Sequence, residues 1–272
     1  MSKTYFMMLA ASGIILLSCQ QSGGNSTSKD STLQTASEPP AVATRYVKKF
    51  THTLAGDEPE IMHFRYDAQH RLSSIQKEGQ DGNDQEFGYD ASGNLVKLMY
   101  RHNDRRYVIQ YTYNGNNVTG VEKMYENEED TDAMTEITWK IELSNGKVVR
   151  IQKENKEEPS ENSLQLVAYA GENIQSITSM SPDGKNKTGA AEFTYGKQSN
   201  PFAGARLPLL HPTALLLLQP VNDMAGMTLR NLQYNVAVKT EYAYKYDAQG
   251  YPVSSVERAD GEVSATSVYE YE

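Results

Sequence analysis

FGYDASGNLVKL, residues Phe87 to Leu98, carries the fold of this chain in twelve letters. Phe87 and Tyr89 flank a glycine, so two large residues share one side of an extended segment, as the two-residue period of a strand requires. Asp90 can accept hydrogen bonds from backbone amides two residues on, and Gly93 takes positive φ without steric penalty, which together make a tight turn. Leu95 and Leu98 then begin a second strand. The segment is a hairpin.

The same outline recurs. FRYDAQHRLSSI (Phe64 to Ile75) and YKYDAQGYPVSSV (Tyr244 to Val256) are clear copies; QYTYNGNNVTGV (Gln110 to Val121), IELSNGKVVRI (Ile141 to Ile151) and VAYAGENIQSI (Val167 to Ile177) are weaker ones. His70 stands where the other clear copies have glycine, and histidine is among the side chains enriched at positive φ, so it reads as a turn residue. The aliphatic pairs Leu72/Ile75, Leu95/Leu98, Val118/Val121, Val148/Ile151, Ile174/Ile177 and Val253/Val256 are three residues apart. A flat strand would send their members to opposite faces; a bulge near the start of the strand leaving each turn returns them to one face. Pro252 displaces the last pair by one and suits a strand start. Runs such as Tyr107, Ile109, Tyr111, Tyr113 and Ile137, Trp139, Ile141, Leu143 alternate large apolar with polar residues, which gives one packed and one wet face.

Outward from the hairpins, the 272 residues hold 18 Tyr against 6 Phe and 1 Trp, an aromatic balance that suits half-buried strands. A formal charge of -9 argues against binding to a nucleic-acid backbone, which needs neutralising Lys and Arg. Lys3 precedes a short apolar run that ends at Leu16-Leu17-Ser18-Cys19, too short for a spanning helix and suited to a signal peptide over residues 1–18. Leu16 to Cys19 resembles the lipobox of bacterial lipoproteins, which implies lipid attachment at Cys19; Gln20, not Asp, follows it, which by the same resemblance implies outer-membrane delivery, on the periplasmic or the cell-surface face. Cys19 is the single cysteine, so no intrachain disulfide forms. Residues 19–44, rich in Ser, Thr, Gly, Gln, Ala and Pro, read as a flexible tether.

With the hairpins and the lipobox together, the chain resembles YD-repeat proteins, and more closely the repeat-bearing outer-membrane lipoproteins of unknown function of Bacteroidetes-type bacteria. The segment FTYGKQSNPFAG (Phe193 to Gly204), with Asn200, Pro201 and Phe202, adds to that resemblance. It implies a β-rich domain and supplies no catalytic residues.

Residues 45–272 therefore read as one all-β domain of about a dozen antiparallel strands, a curled sheet or open barrel of consecutive YD-like hairpins. A non-repeat insert, 205–235, carries Leu215 to Leu218 between Pro212 and Pro220. We read it as a short helix packed on the inner face, with a lipid-dipping loop or a partner-docking surface as alternatives.

Chemistry is sparse. His52, His63, His70, His102 and His211 fall in no metal-binding spacing, and no nucleophile elbow occurs. The acidic run Glu122, Glu126, Glu128, Glu129, Asp130 and Asp132 lacks calcium-loop spacing and reads as a solvated hairpin loop. No cofactor or metal is expected. The expected role is a non-catalytic binding or scaffold module for a glycan, peptide or protein partner. Candidate contacts are Tyr111, Tyr113, Trp139, Tyr242, Tyr244 and Phe202. The alternative is a carrier of a hydrophobic or lipid-like ligand in the concave sheet, with Leu215 and Leu218 as a movable plug. A hydrolase comes third, because it needs converging carboxylates or a nucleophile and base in one cleft.

Overall fold

The structure, a computed structural model, describes residues 45–79, 84–102, 105–127, 129–205 and 221–272. The signal peptide, Cys19, the tether and the Leu-rich run with Leu215 and Leu218 lie outside the described residues.

The strands are β1 (Val47–Leu54), β2 (Glu60–Tyr66), β3 (Leu72–Lys77), β4 (Gln85–Tyr89), β5 (Leu95–His102), β6 (Arg105–Asn114), β7 (Asn117–Tyr125) and β8 (Thr135–Ser144). They continue as β9 (Lys147–Asn155), β10 (Ser163–Ala170), β11 (Asn173–Met180), β12 (Lys187–Ser199), β13 (Asn222–Asn231), β14 (Val236–Tyr246), β15 (Pro252–Ala259) and β16 (Glu262–Tyr271). Each pairs antiparallel with its neighbours in sequence, and β1 pairs with β16, so all sixteen close into a barrel. The expected curled sheet or open barrel of about a dozen strands is thus corrected to a closed one. Val47–Leu54, which lies before the first hairpin motif, supplies the closing strand: Phe50 faces Tyr269 and His52 faces Ser267.

The turns form as the Asx chemistry requires. Oδ1 of Asp67 accepts from the amides of Gln69 and Arg71, that of Asp90 from Ser92 and Asn94, and that of Asp247 from Gln249 and Tyr251. His70 has φ 58°, beside 84° for Gly93 and 83° for Gly250. Bulges follow the turns: the ladder skips one residue between Ser74 and Leu72, Lys97 and Leu95, Arg150 and Val148, Ser176 and Ile174, and Ser254 and Pro252.

Two pairs depart from expectation. β6 and β7 run without a shift, so Val118 faces in and Val121 faces out. In β15 the inward residues are Pro252 and Ser255, both buried, while Val253 and Val256 face outward.

The second half of the insert is also different. Residues 222–231 form β13, in which Met227 and Leu229 alternate with Thr228 and Arg230, and a register shift at Gly226/Met224 hides that period in the sequence. Helical structure among the described residues is limited to two 3-10 turns, Pro159–Glu161 and Ala203–Ala205.

The wall has a polar outside. Ion pairs between outward side chains include Lys49–Glu270, Lys123–Glu136, Lys140–Glu154, Arg150–Glu142 and Arg230–Glu192. A membrane-spanning barrel needs an outward apolar band, and each charge at its midplane costs about 2–4 kcal/mol; this wall is built to face water. The inside holds one contiguous cluster that includes Phe50, Phe64, Phe87, Ile109, Tyr111, Trp139 and Phe193. Leu72, beside an Asx turn, and Ile109, nearer the middle of the wall, are both 0% exposed.

Candidate functional site

The two ends of the interior differ. At the end bearing the Asx turns, the inward positions Val47, Leu72, Leu95, Val118, Ile141, Val148, Ile174 and Pro252 are aliphatic and buried. Phe202 reaches the interior beside them, against Phe50 (ring centroids 5.3 Å apart), Phe64 (5.5 Å) and Tyr269 (5.8 Å). A side chain at Gly204 would collide with the backbone of Arg45, so this segment is seated tightly. Towards the other end the inward positions turn polar and are only partly buried: His52, Glu60, Lys77, Gln85, His102, Lys153, Gln165 and Glu257. Glu60 pairs with Lys77 at 2.8 Å, and Glu161 with Lys153 at 2.8 Å.

Between the two lies a buried carboxylate. Glu122, 5% exposed, stands in β7 between Ile109 of β6 and Ile137 of β8, and faces inward. Its Oε1 accepts the Tyr100 hydroxyl at 2.5 Å and its Oε2 accepts Trp139 Nε1–H at 2.7 Å. The Tyr100 ring stacks on Tyr107, centroids 4.7 Å apart. Tyr111, one row nearer the turn end, packs its ring on Gly120, where an added Cβ would lie 3.0 Å from it. Its hydroxyl has no hydrogen-bond partner among the described residues. Burial first, and then the Glu122 charge, push the Tyr111 hydroxyl's pKa upward.

A second inward network spans β15, β16 and β1. Ser255 Oγ lies 2.9 Å from the Tyr269 hydroxyl, and Ser267 Oγ lies 3.1 Å from His52 Nδ1. Burial lowers the His52 pKa, opposed by Glu257 and Glu60. Ser267 and His52 are a nucleophile and a base in contact, but Ser267 sits mid-strand between paired neighbours, so the amides around it serve the ladders and do not form an oxyanion hole.

The expected contact residues all line the interior, not an exposed surface. Tyr111 and Trp139 are buried together near Glu122. Tyr113 is partly buried and donates to the Leu95 carbonyl at 3.0 Å. Tyr242 and Tyr244 face inward from β14, on a separate stretch of wall near Tyr269. Phe202 belongs with that second group through Tyr269. Glu122 itself was expected in a solvated loop; the unbulged β7 turns it inward instead. Simple alternation from Val118 through Gly120 to Glu122 is the signal that finds it. Among the described residues, no three His, Cys, Asp or Glu side chains are placed to hold a metal ion.

The class defined by these features is an all-β closed barrel with a water-facing wall and an aromatic interior. No protein-family description and no curated protein matches the sequence. Among solved structures the chain is similar to a porin-like protein from Bacteroides vulgatus, at 12% identity and a TM-score of 0.43, over 84% of this chain and 99% of that one. Likeness at that level carries no weight for function.

Proposed function

We propose that this protein is a non-catalytic binding module of the bacterial envelope, tethered to the outer membrane through lipid on Cys19, of the YD-repeat lipoprotein kind. The observation that carries the reading is the polarity of the wall: charged pairs outside, aromatic side chains inside, with a polar, partly buried end. Barrels of that polarity take ligands at one end of the interior. The tether lets such a body stand clear of the headgroups. Glycan, peptide or protein partners are the ligand classes in view.

Fractionation combined with intact mass tests the tether. The wild type is expected in the membrane fraction with a diacylated N-terminal Cys19, and Cys19→Ser in the soluble fraction, folded. A wild type that is soluble and unlipidated would overturn the anchoring. A ligand-induced rise in Tm that survives Tyr107→Ala and Tyr242→Ala unchanged would overturn the interior as the binding site.

A further inference from the structure

Glu122 presents an unusual balance of charge. A carboxylate that is 5% exposed calls for a cationic partner, because an isolated buried charge is strongly disfavoured. Its two hydrogen bonds come from neutral donors, Tyr100 and Trp139, so neither of them brings a cation to the carboxylate. Ile109 and Ile137 flank it on the neighbouring strands, and aromatic side chains complete its surroundings: Tyr100 and Tyr107 in a stack, Trp139, and Tyr111, whose buried hydroxyl lacks a partner among the described residues. One row towards the polar end, Tyr107, Met124 and Thr135 face one another across β6 to β8 and are only partly buried, so the carboxylate lies one layer beneath solvent.

We propose that this cluster is the recognition site for an organic cation, a substituted ammonium group on the ligand. Glu122 supplies the countercharge. The uncovered face of the Tyr100–Tyr107 stack and the Trp139 ring supply cation–π attraction, which strengthens out of water. The Tyr111 hydroxyl is the remaining acceptor for an N–H of the ligand. The proposal rests on the interior being the binding site and specifies its chemistry.

Trp139 is the single tryptophan, so its emission reports on the cluster directly. The mature full-length chain is titrated with choline and with 3,3-dimethylbutan-1-ol, a neutral molecule of the same shape. Choline is expected to change Trp139 emission saturably, with at least a ten-fold weaker response to the alcohol. Glu122→Gln, which keeps the shape, an acceptor for Trp139 Nε1–H and an NH2 that can donate to the Tyr100 hydroxyl, should weaken choline at least ten-fold; Tyr111→Phe should leave choline, which has no N–H, unchanged and weaken n-butylamine several-fold. Equal responses to choline and the alcohol, or choline binding unchanged in Glu122→Gln, overturn the cation assignment while leaving an interior ligand site in place. Silence of the folded wild type towards choline and n-butylamine also overturns it; a glycan or peptide that raises Tm through Tyr242 alone would then keep the binding-module reading.

Discussion

Tyr89 shows why tyrosine, and not phenylalanine, dominates this chain. Its hydroxyl donates to the carbonyl of Leu72 at 2.8 Å, and the same bond joins Tyr66 to Val47, Tyr113 to Leu95, Tyr195 to Ile174 and Tyr271 to Pro252. In each case the acceptor lies on the strand next door, beyond the point where the ladder between those two strands stops; β3 and β4, for instance, pair only at Ser74/Glu86 and Ile75/Gln85. The ring fills the interior and the hydroxyl replaces the missing amide. The β7–β8 ladder, which has no bulge, continues to Asn117/Glu142, and Leu143 stands where a tyrosine would. Tyr89→Phe should therefore lower stability by about 0.5–1.5 kcal/mol, read from urea unfolding, and Tyr107→Phe, whose hydroxyl makes no such bond, should change it less. Equal losses in the two variants would contradict the bridging role. The tyrosine excess was legible in the composition, but the reason for it was not, because the acceptor carbonyls sit in other hairpins.

At the scale of the element, each clear hairpin depends on an ionised Asp. Hydrogen bonds from the Asn94 side chain and backbone hold the Asp90 carboxyl below its usual pKa. Asp67 and Asp247 are also lowered: slight burial pushes the other way, and bonds from Arg71, and from Tyr251 and Arg45, outweigh it. A folded pKa below the unfolded value of about 3.9 means that the contribution is present above about pH 4 and is lost as pH falls through the folded values. Urea midpoints should drop between about pH 5 and about pH 2.5, and replacing the three residues by Asn, which keeps an acceptor but does not titrate, should flatten that drop. An unchanged slope would place the acid sensitivity elsewhere. The turns and five of the bulges were readable, since Asp, Gly and the three-residue aliphatic spacing are local signals. Glu122 was misplaced because one hairpin lacks its bulge, and a single-residue slip exchanges the inner and outer faces. β13 was hidden for the converse reason, a shift inside the strand at Gly226.

Over the whole molecule, closure depends on two strands more than 200 residues apart in sequence, since Val47 to Leu54 meet Ala265 to Tyr271. No local pattern announces such a pairing, which is why the chain's pattern suggested an open sheet. Closure removes the free edges that would otherwise recruit another chain, and it separates an outer face of ion pairs from an inner face of aromatics. That separation underlies both the tethered binding module and the cation site. The most direct test is acrylamide quenching of Trp139 in the chain from residue 20 onward, purified without detergent. A soluble protein whose Trp139 emission is blue-shifted and scarcely quenched is the expected result. A protein that needs detergent to stay in solution, or whose Trp139 is quenched like free tryptophan, would contradict a water-facing wall around an aromatic interior.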